Sequence, residues 1–160
     1  MRPDDERIPD SFEIARKMGL SYSFGIANLT SAHPNSVVLE VKGKSGRTLE
    51  VQACSLGGGR IMINRLDGLD VNCSCEIPTL IVHNLDQPGH VAEVTSMLAH
   101  KSVNIANMSL YRDKRGGSAV MVVEMDQPLP KESLEWLEHL EGIVKVTYIN
   151  VTEGEEDDVL

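Results

Sequence analysis

The run from Ser118 to Asp126 restricts the fold of this chain more than any other stretch. Ala119, Met121 and Val123 occupy its odd positions, Val120 and Val122 its even ones, and all are apolar. Successive residues of a strand point to opposite faces, so a strand here has no polar face to offer water. The sheet that contains it needs cover on both sides. Its own helices can supply one cover, and another chain or domain must supply the other.

The neighbouring pattern supplies the rest of that sheet. Thr79 to Asn84 is a branched-rich run bounded by Pro78 and by Asp86, Gln87, Pro88 and Gly89, which reads as a strand. Val91, Val94, Thr95 and Leu98 then recur at i, i+3, i+4 and i+7, giving one buried helical face. Asp86 is placed to cap that helix, with Pro88 in its first turn. Val103 to Arg112 alternates loosely and is joined by an Arg115–Gly117 turn to the Ser118–Asp126 strand. Glu132 to Leu140 carries Leu134, Leu137 and Leu140 on one helical face and ends near Gly142; Ile143 to Val151 closes as a strand. The order is βαββαβ, a ferredoxin-like unit.

The first half reads differently. Asp10 and Glu13 have capping-box spacing ahead of Ile14, Ala15 and Met18, which predicts a short helix with no preceding strand to pack on. Tyr22 to Ala27 is a strand candidate interrupted by Gly25. Val37–Val41 and Thr48–Ala53 flank Gly43–Gly46 as a hairpin, and Arg60–Asn64 and Leu69–Cys73 flank Asp67-Gly68 as a second. The fold class is α+β: a mixed α/β part over residues 1–77, the βαββαβ unit over 78–151, and a tail at 152–160. Glu153, Glu155, Glu156, Asp157 and Asp158 crowd that tail and predict a solvated, disordered end.

Composition narrows the function. The net charge of −9 argues against a nucleic-acid surface, which needs clustered Lys and Arg. No apolar run approaches the roughly 20 residues of a membrane span, and the charged start is unlike a signal peptide. Three cysteines without disulfide-style spacing suit a reducing cytoplasm. Cys73-x-Cys75 is too tight for a zinc knuckle and lacks a second pair; two thiols on one strand face are read as buried. No Walker or Rossmann spacing is present, since Gly57, Gly58 and Gly59 fit neither.

Two places can hold a ligand. Asn84, Asp86 and Gly89 line the opening of the first helix of the βαββαβ unit, whose free N–H groups favour a carboxylate. Asn104 can reach the same region from a neighbouring copy. Equally, Asp86 can be a plain N-cap and Asn104 a plain turn residue. In the first half, His33 and Asn35 can converge with Ser55, Gly57, Gly58 and Gly59, the histidine giving a titratable group and the glycines bare backbone donors. A solvated loop histidine and a simple glycine bulge are the alternatives.

Leu80 to Gly89 followed by Val103-Asn-Ile105 resembles the ACT family of amino-acid-binding regulatory domains. That resemblance implies an amino acid held at a homodimer interface between ACT sheets, by the strand-to-helix loop and Asn104. Where serine-binding members carry His-x-Asn ahead of Pro-Gly, this chain has Asn84-Leu-Asp86. Residues 7–77, through Arg7–Ser11, His33-Pro-Asn35, Ser55–Ile61 and Asp67-Gly68, resemble the beta chain of bacterial iron–sulfur L-serine dehydratase, whose module is also called the allosteric substrate-binding domain. An ACT domain directly behind it is that family's layout. The resemblance implies a regulatory lyase subunit, not catalytic alone, serving serine catabolism and gluconeogenesis. It also implies a separate alpha chain carrying a [4Fe–4S] cluster, and L-serine or another amino acid as the bound effector. Family members begin further upstream, so a shortened N-terminus is expected. The alternative is a non-catalytic amino-acid sensor or a detached regulatory tail of the phosphoglycerate dehydrogenase type.

Overall fold

The computed structural model describes residues 5–150, which form two compact units divided between Pro34 and Asn35. In the first unit a 3-10 turn, Ile8–Asp10, leads into α1 (Ser11–Lys17), which buries none of its residues. Asp10 makes no side-chain cap; it is the last residue of the preceding 3-10 turn, so the predicted capping box does not form. Tyr22 to Ala27 is not a strand either. A strand needs a neighbour for its backbone groups, and here the aromatic side chains are engaged instead. Phe12, Tyr22 and Phe24 meet with ring centroids 5.3, 5.7 and 5.8 Å apart, and the Arg16 guanidinium lies 5.9 Å from the centre of the Tyr22 ring.

The second unit is two four-stranded antiparallel sheets. β1 (Ser36–Lys42), β2 (Thr48–Gly57), β3 (Arg60–Leu66) and β4 (Leu69–Cys73) follow one another as a meander. Both predicted hairpins are present, and the glycine run is the tip between β2 and β3. Gly57 pairs with Arg60, leaving Gly58 and Gly59 as a two-residue loop with φ of 62° and 78°. Positive φ at both central residues is what a type I′ hairpin requires.

The other sheet has β5 (Thr79–Leu85), β6 (Ile105–Arg112), β7 (Ser118–Met125) and β8 (Ile143–Ile149), in the order β6-β7-β5-β8. α2 (His90–His100) and α3 (Lys131–Glu138) cross between them, completing βαββαβ. The two central strands, β5 and β7, have both faces covered. Leu80, Val82, Met121, Val123 and Met125 join Val94, Leu98 and Leu137 in a helix-covered core. Ile81, Val120 and Val122 join Ile63, Leu66, Val71, Cys73 and Cys75 in a second core between the sheets. The second cover therefore comes from this chain's own β1–β4 sheet. The expected seam at 77–78 falls inside one packed unit, and the acidic tail lies outside the described residues.

The helical face shifts slightly from prediction. Val91 is exposed, and His90, Val94, Met97 and Leu98 make the buried stripe of α2. Among the described residues no helix is long and apolar enough to cross a membrane.

Polar contacts clasp the two sheets at one edge. Asp67, in the β3–β4 turn, accepts the Glu50 N–H at 2.8 Å and the Lys145 ammonium at 2.5 Å. Lys145 also donates to the Thr48 carbonyl at 2.9 Å, and Arg47 donates to the Val146 carbonyl and to Glu138. His83 Nε2 lies 3.6 Å from Asp67 Oδ2. Burial works against the Asp67 charge, yet the Lys145 and Glu50 hydrogen bonds hold its carboxyl below the usual range. Burial pushes the His83 imidazole down; Asp67 opposes this, and Lys145 and Arg47 reinforce it.

Two outcomes test this packing. Ile81→Ala removes a side chain 1% exposed between the sheets, and should cost about 2–5 kcal/mol in urea unfolding while residues 35–150 still melt in one transition. Two separate transitions would show independent sheets. The acid limb should decline in two stages. Above about pH 6.5 His83 is neutral folded and unfolded; below it the unfolded chain takes up a proton that the folded chain resists. The Asp67 contribution is complete above about pH 4 and is lost as pH falls through its lower folded value. His83→Gln should flatten the first stage and leave the second, as read from urea midpoints across that range.

Candidate functional site

β5 delivers its even residues to the helix-covered face, so Asn84 follows Leu80 and Val82 inward and is 4% exposed. Its Nδ2 donates to the Leu85 carbonyl at 2.6 Å, while its Oδ1 is buried without a partner. His90, at the first turn of α2, is 7% exposed. Its Nδ1 lies 3.2 Å from Glu93 Oε2, and its Nε2 is buried without a partner. Buried polar atoms are nearly always paired, and an orphan costs about 1–3 kcal/mol. Both unpaired atoms flank the β5–α2 loop, and each has capacity for one further hydrogen bond.

Gly142 fits against this loop. The Leu85 N–H donates to its carbonyl at 2.9 Å, and a Cβ built on it would lie 2.6 Å from His90 Nε2. Its φ is +81°.

Asp86 is not the helix cap. Gly89 occupies the N-cap of α2, and the Asp86 side chain turns the other way, toward the β6–β7 turn. There Asp86 accepts the Gly116 N–H at 2.9 Å and the Arg112 guanidinium at 3.0 Å. The Gly116 hydrogen bond, with Arg112 beside it, holds the Asp86 carboxyl below its ordinary value. The loop thus carries an ionised carboxylate, a guanidinium and the N-terminus of an 11-residue helix. Those charges suit a zwitterion, with an ammonium toward Asp86 and a carboxylate toward the helix.

Asn104 sits elsewhere. Immediately before β6, its Nδ2 donates to Asp126 at 2.6 Å and its N–H to Gln127 at 2.7 Å. Ile105 pairs with Met125, whereas Arg112 pairs with Ala119. Asn104 and the Asp86–Arg112 pair therefore lie at opposite ends of β6, roughly 25 Å apart at about 3.3 Å per residue. One chain does not unite them.

The second predicted site draws on residues of both compact units. The Asn35 carbonyl accepts the Ser55 N–H at 2.9 Å, so Asn35 borders β2. Ser55 Oγ accepts the Gly57 N–H at 3.4 Å, and Gly58 and Gly59 stand at an exposed hairpin tip. The turn accounts for their backbone without a ligand. His33 belongs to the other compact unit.

Sequence reasoning missed His90, Arg112 and Gly142. A histidine directly after Pro88-Gly89 is a signal in hindsight, because a polar residue there starts the helix on its buried face. Arg112 and Gly142 are distant in sequence, and only the sheet pairing brings them in.

The ACT domain family matches residues 78–141. A Bacillus subtilis protein named as a probable L-serine dehydratase beta chain is 33% identical over 145 residues, covering 91% of this chain and 66% of that protein. The L-serine dehydratase beta chain of Peptoniphilus asaccharolyticus is 31% identical over 150 residues, covering 93% of this chain and 68% of its own. The chain belongs to the L-serine dehydratase beta-chain family. It spans about two thirds of the length of those relatives. The D-3-phosphoglycerate dehydrogenase of Methanocaldococcus jannaschii is 31% identical over 90 residues, 56% of this chain but 17% of that enzyme.

Gly142→Ala tests the tightness of this loop. The methyl meets His90 and the backbone sits at positive φ, so the variant should lose about 2–4 kcal/mol in urea unfolding. Gly116→Ala, with φ +71° but open space around it, should lose only about 1 kcal/mol. Equal losses would mean that His90 yields freely.

Proposed function

We propose that this chain is the beta, regulatory subunit of an iron–sulfur L-serine dehydratase, which converts L-serine to pyruvate and ammonia together with a separate alpha chain. The alignment carries this reading: beta chains match over 91% and 93% of the sequence, through both sheets. The lyase activity belongs to the assembly, and the work of this chain is to bind an amino acid and to dock.

The described residues do not fit a [4Fe–4S] cluster. Cys73 and Cys75 lie between the sheets with Ile63 and Ile81, whereas Cys54 alternates with Ala53 and Val51, which face that core, and so points to the other side. No three potential ligands converge among the described residues. A cluster needs about three or four thiolates in one place. We assign it to the alpha chain.

The effector site is composite. β6 is a sheet edge. Antiparallel pairing of β6 with the same strand of a second copy would set Asn104 of one beside Arg112 of the other, and hence beside Asp86, Asn84 and Gly89. Edge-to-edge pairing is the form of homodimer open to this sheet, because both its faces are already covered. L-serine fits by charge, and its hydroxyl gives the orphaned Asn84 oxygen a donor.

The second reading, an amino-acid sensor like the tail of a phosphoglycerate dehydrogenase, draws on the match to those enzymes. The two separate on a partner. Pyruvate formation from L-serine should require both this chain and an iron-bearing alpha chain, whereas a sensor would bind serine and dimerise without one. In calorimetry Asn104→Ala should weaken L-serine binding roughly ten- to hundred-fold, the value of one hydrogen bond to a charged group. Unchanged affinity would remove Asn104 from the site.

A further inference from the structure

Cys73 and Cys75 play no part in the binding loop, yet their sulfurs lie 3.1 Å apart. On a regular strand, residues i and i+2 share a face but stand about 6.6 Å apart. This pair is drawn together because β4 ends at Cys73 and Cys75 takes a left-handed conformation, φ +54°. L-residues adopt that conformation at a cost of roughly 1–2 kcal/mol. The bend turns two thiols toward each other inside the inter-sheet core, at 1% and 6% exposure. Two apolar residues would fill the same space without any such approach.

We propose that Cys73 and Cys75 form a vicinal redox pair, a modification site that hydrogen peroxide closes to an intramolecular disulfide and that small dithiols reopen. The Cys73 sulfur attacks one peroxide oxygen, the O–O bond breaks, and Cys73 becomes a sulfenic acid as the other oxygen leaves as water. The Cys75 sulfur then attacks Cys73, the S–O bond breaks, the S–S bond forms, and a second water carries off the Cys75 proton. Two thiols are oxidised by two electrons and one peroxide is reduced.

The division of labour follows from the contact between them. The hydrogen bond from Cys75 holds the Cys73 thiol below its usual range, despite burial, while the same contact and burial push Cys75 up. Cys73 is the attacking sulfur and Cys75 the resolving one. Burial excludes bulky disulfides and leaves a small neutral oxidant as the reagent. Access comes from local opening, since β4 is a five-residue edge strand followed by non-regular backbone up to β5. Cys54 is equally buried but lies on the far face of its sheet, which makes it an internal control.

The test uses the whole folded chain, treated with hydrogen peroxide, blocked with iodoacetamide and cut with trypsin. Residues 66–101 emerge as one peptide holding both Cys73 and Cys75, and residues 48–60 as another holding Cys54. The first peptide should be two hydrogens lighter than its dithiol form, unalkylated, and restored by dithiothreitol, with Cys54 still alkylated. The pair should react at least roughly ten-fold faster than Cys54. In Cys75→Ser, which lacks the resolving thiol, Cys73 should be captured by dimedone or proceed to sulfinic acid. The proposal is overturned if Cys73 and Cys75 stay alkylatable at peroxide doses that oxidise Cys54. A disulfide that joins either of them to Cys54 or to a second chain would overturn it equally.

Discussion

The structure of residues 35–150 depends on the burial of one sheet from both sides. Ile81, Val120 and Val122 point away from the helices and are at most 1% exposed. Fully burying each is worth about 1.5–3 kcal/mol, an upper estimate because the unfolded chain already hides some of this surface. Together they approach the whole net stability of a small domain, about 5–15 kcal/mol. The β1–β4 sheet is therefore part of the ACT fold's solvent exclusion in this chain. The Asp67–Lys145–Thr48 contacts add direction to that burial by fixing which turn of the first sheet meets β8.

Much of this was legible because periodicity reports burial. The period-2 pattern of 118–126 announced two apolar faces, and the glycine and Asp-Gly turns located both hairpins. What the pattern could not name was the source of the second cover. That depends on contacts between residues such as Ile63 and Ile81, which local sequence does not encode. Tyr22–Ala27, a strand candidate already interrupted by Gly25, failed for a related reason: only a partner edge makes a strand. Asp10 and Asp86 failed as caps because residue type and spacing do not fix side-chain direction; Asp86 found a charged partner and a backbone N–H at the β6–β7 turn instead.

The β5–α2 loop shows the same division. Asn84, Asp86 and Gly89 could be selected from the strand-to-helix junction alone. Their contacts depend on the tertiary fold: Asn84 and His90 each keep an unpaired buried atom, and Asp86 is tied to Arg112. Asn104 is the instructive case, because it lies at the far end of β6 and gains meaning only if two copies pair at that edge. A sequence names the residue, but its distance from the β5–α2 loop follows from strand pairing.

The boundary of the matched family and the boundary of packing therefore differ, with consequences for how regulation can travel. The ACT match begins at residue 78, yet no physical seam exists there; the core between the sheets runs straight across it. The β5–α2 loop leaves β5, whose inward residues pack against the helices and whose outward residue Ile81 packs against β3 and β4. A displacement on one face of β5 is felt on the other, because close-packed cores have few voids to absorb it. His83 lies one residue from Asn84 and faces the Asp67–Lys145 clasp. The two cores thus share two strands, β5 and β7, and β5 is the one that leads directly into the β5–α2 loop.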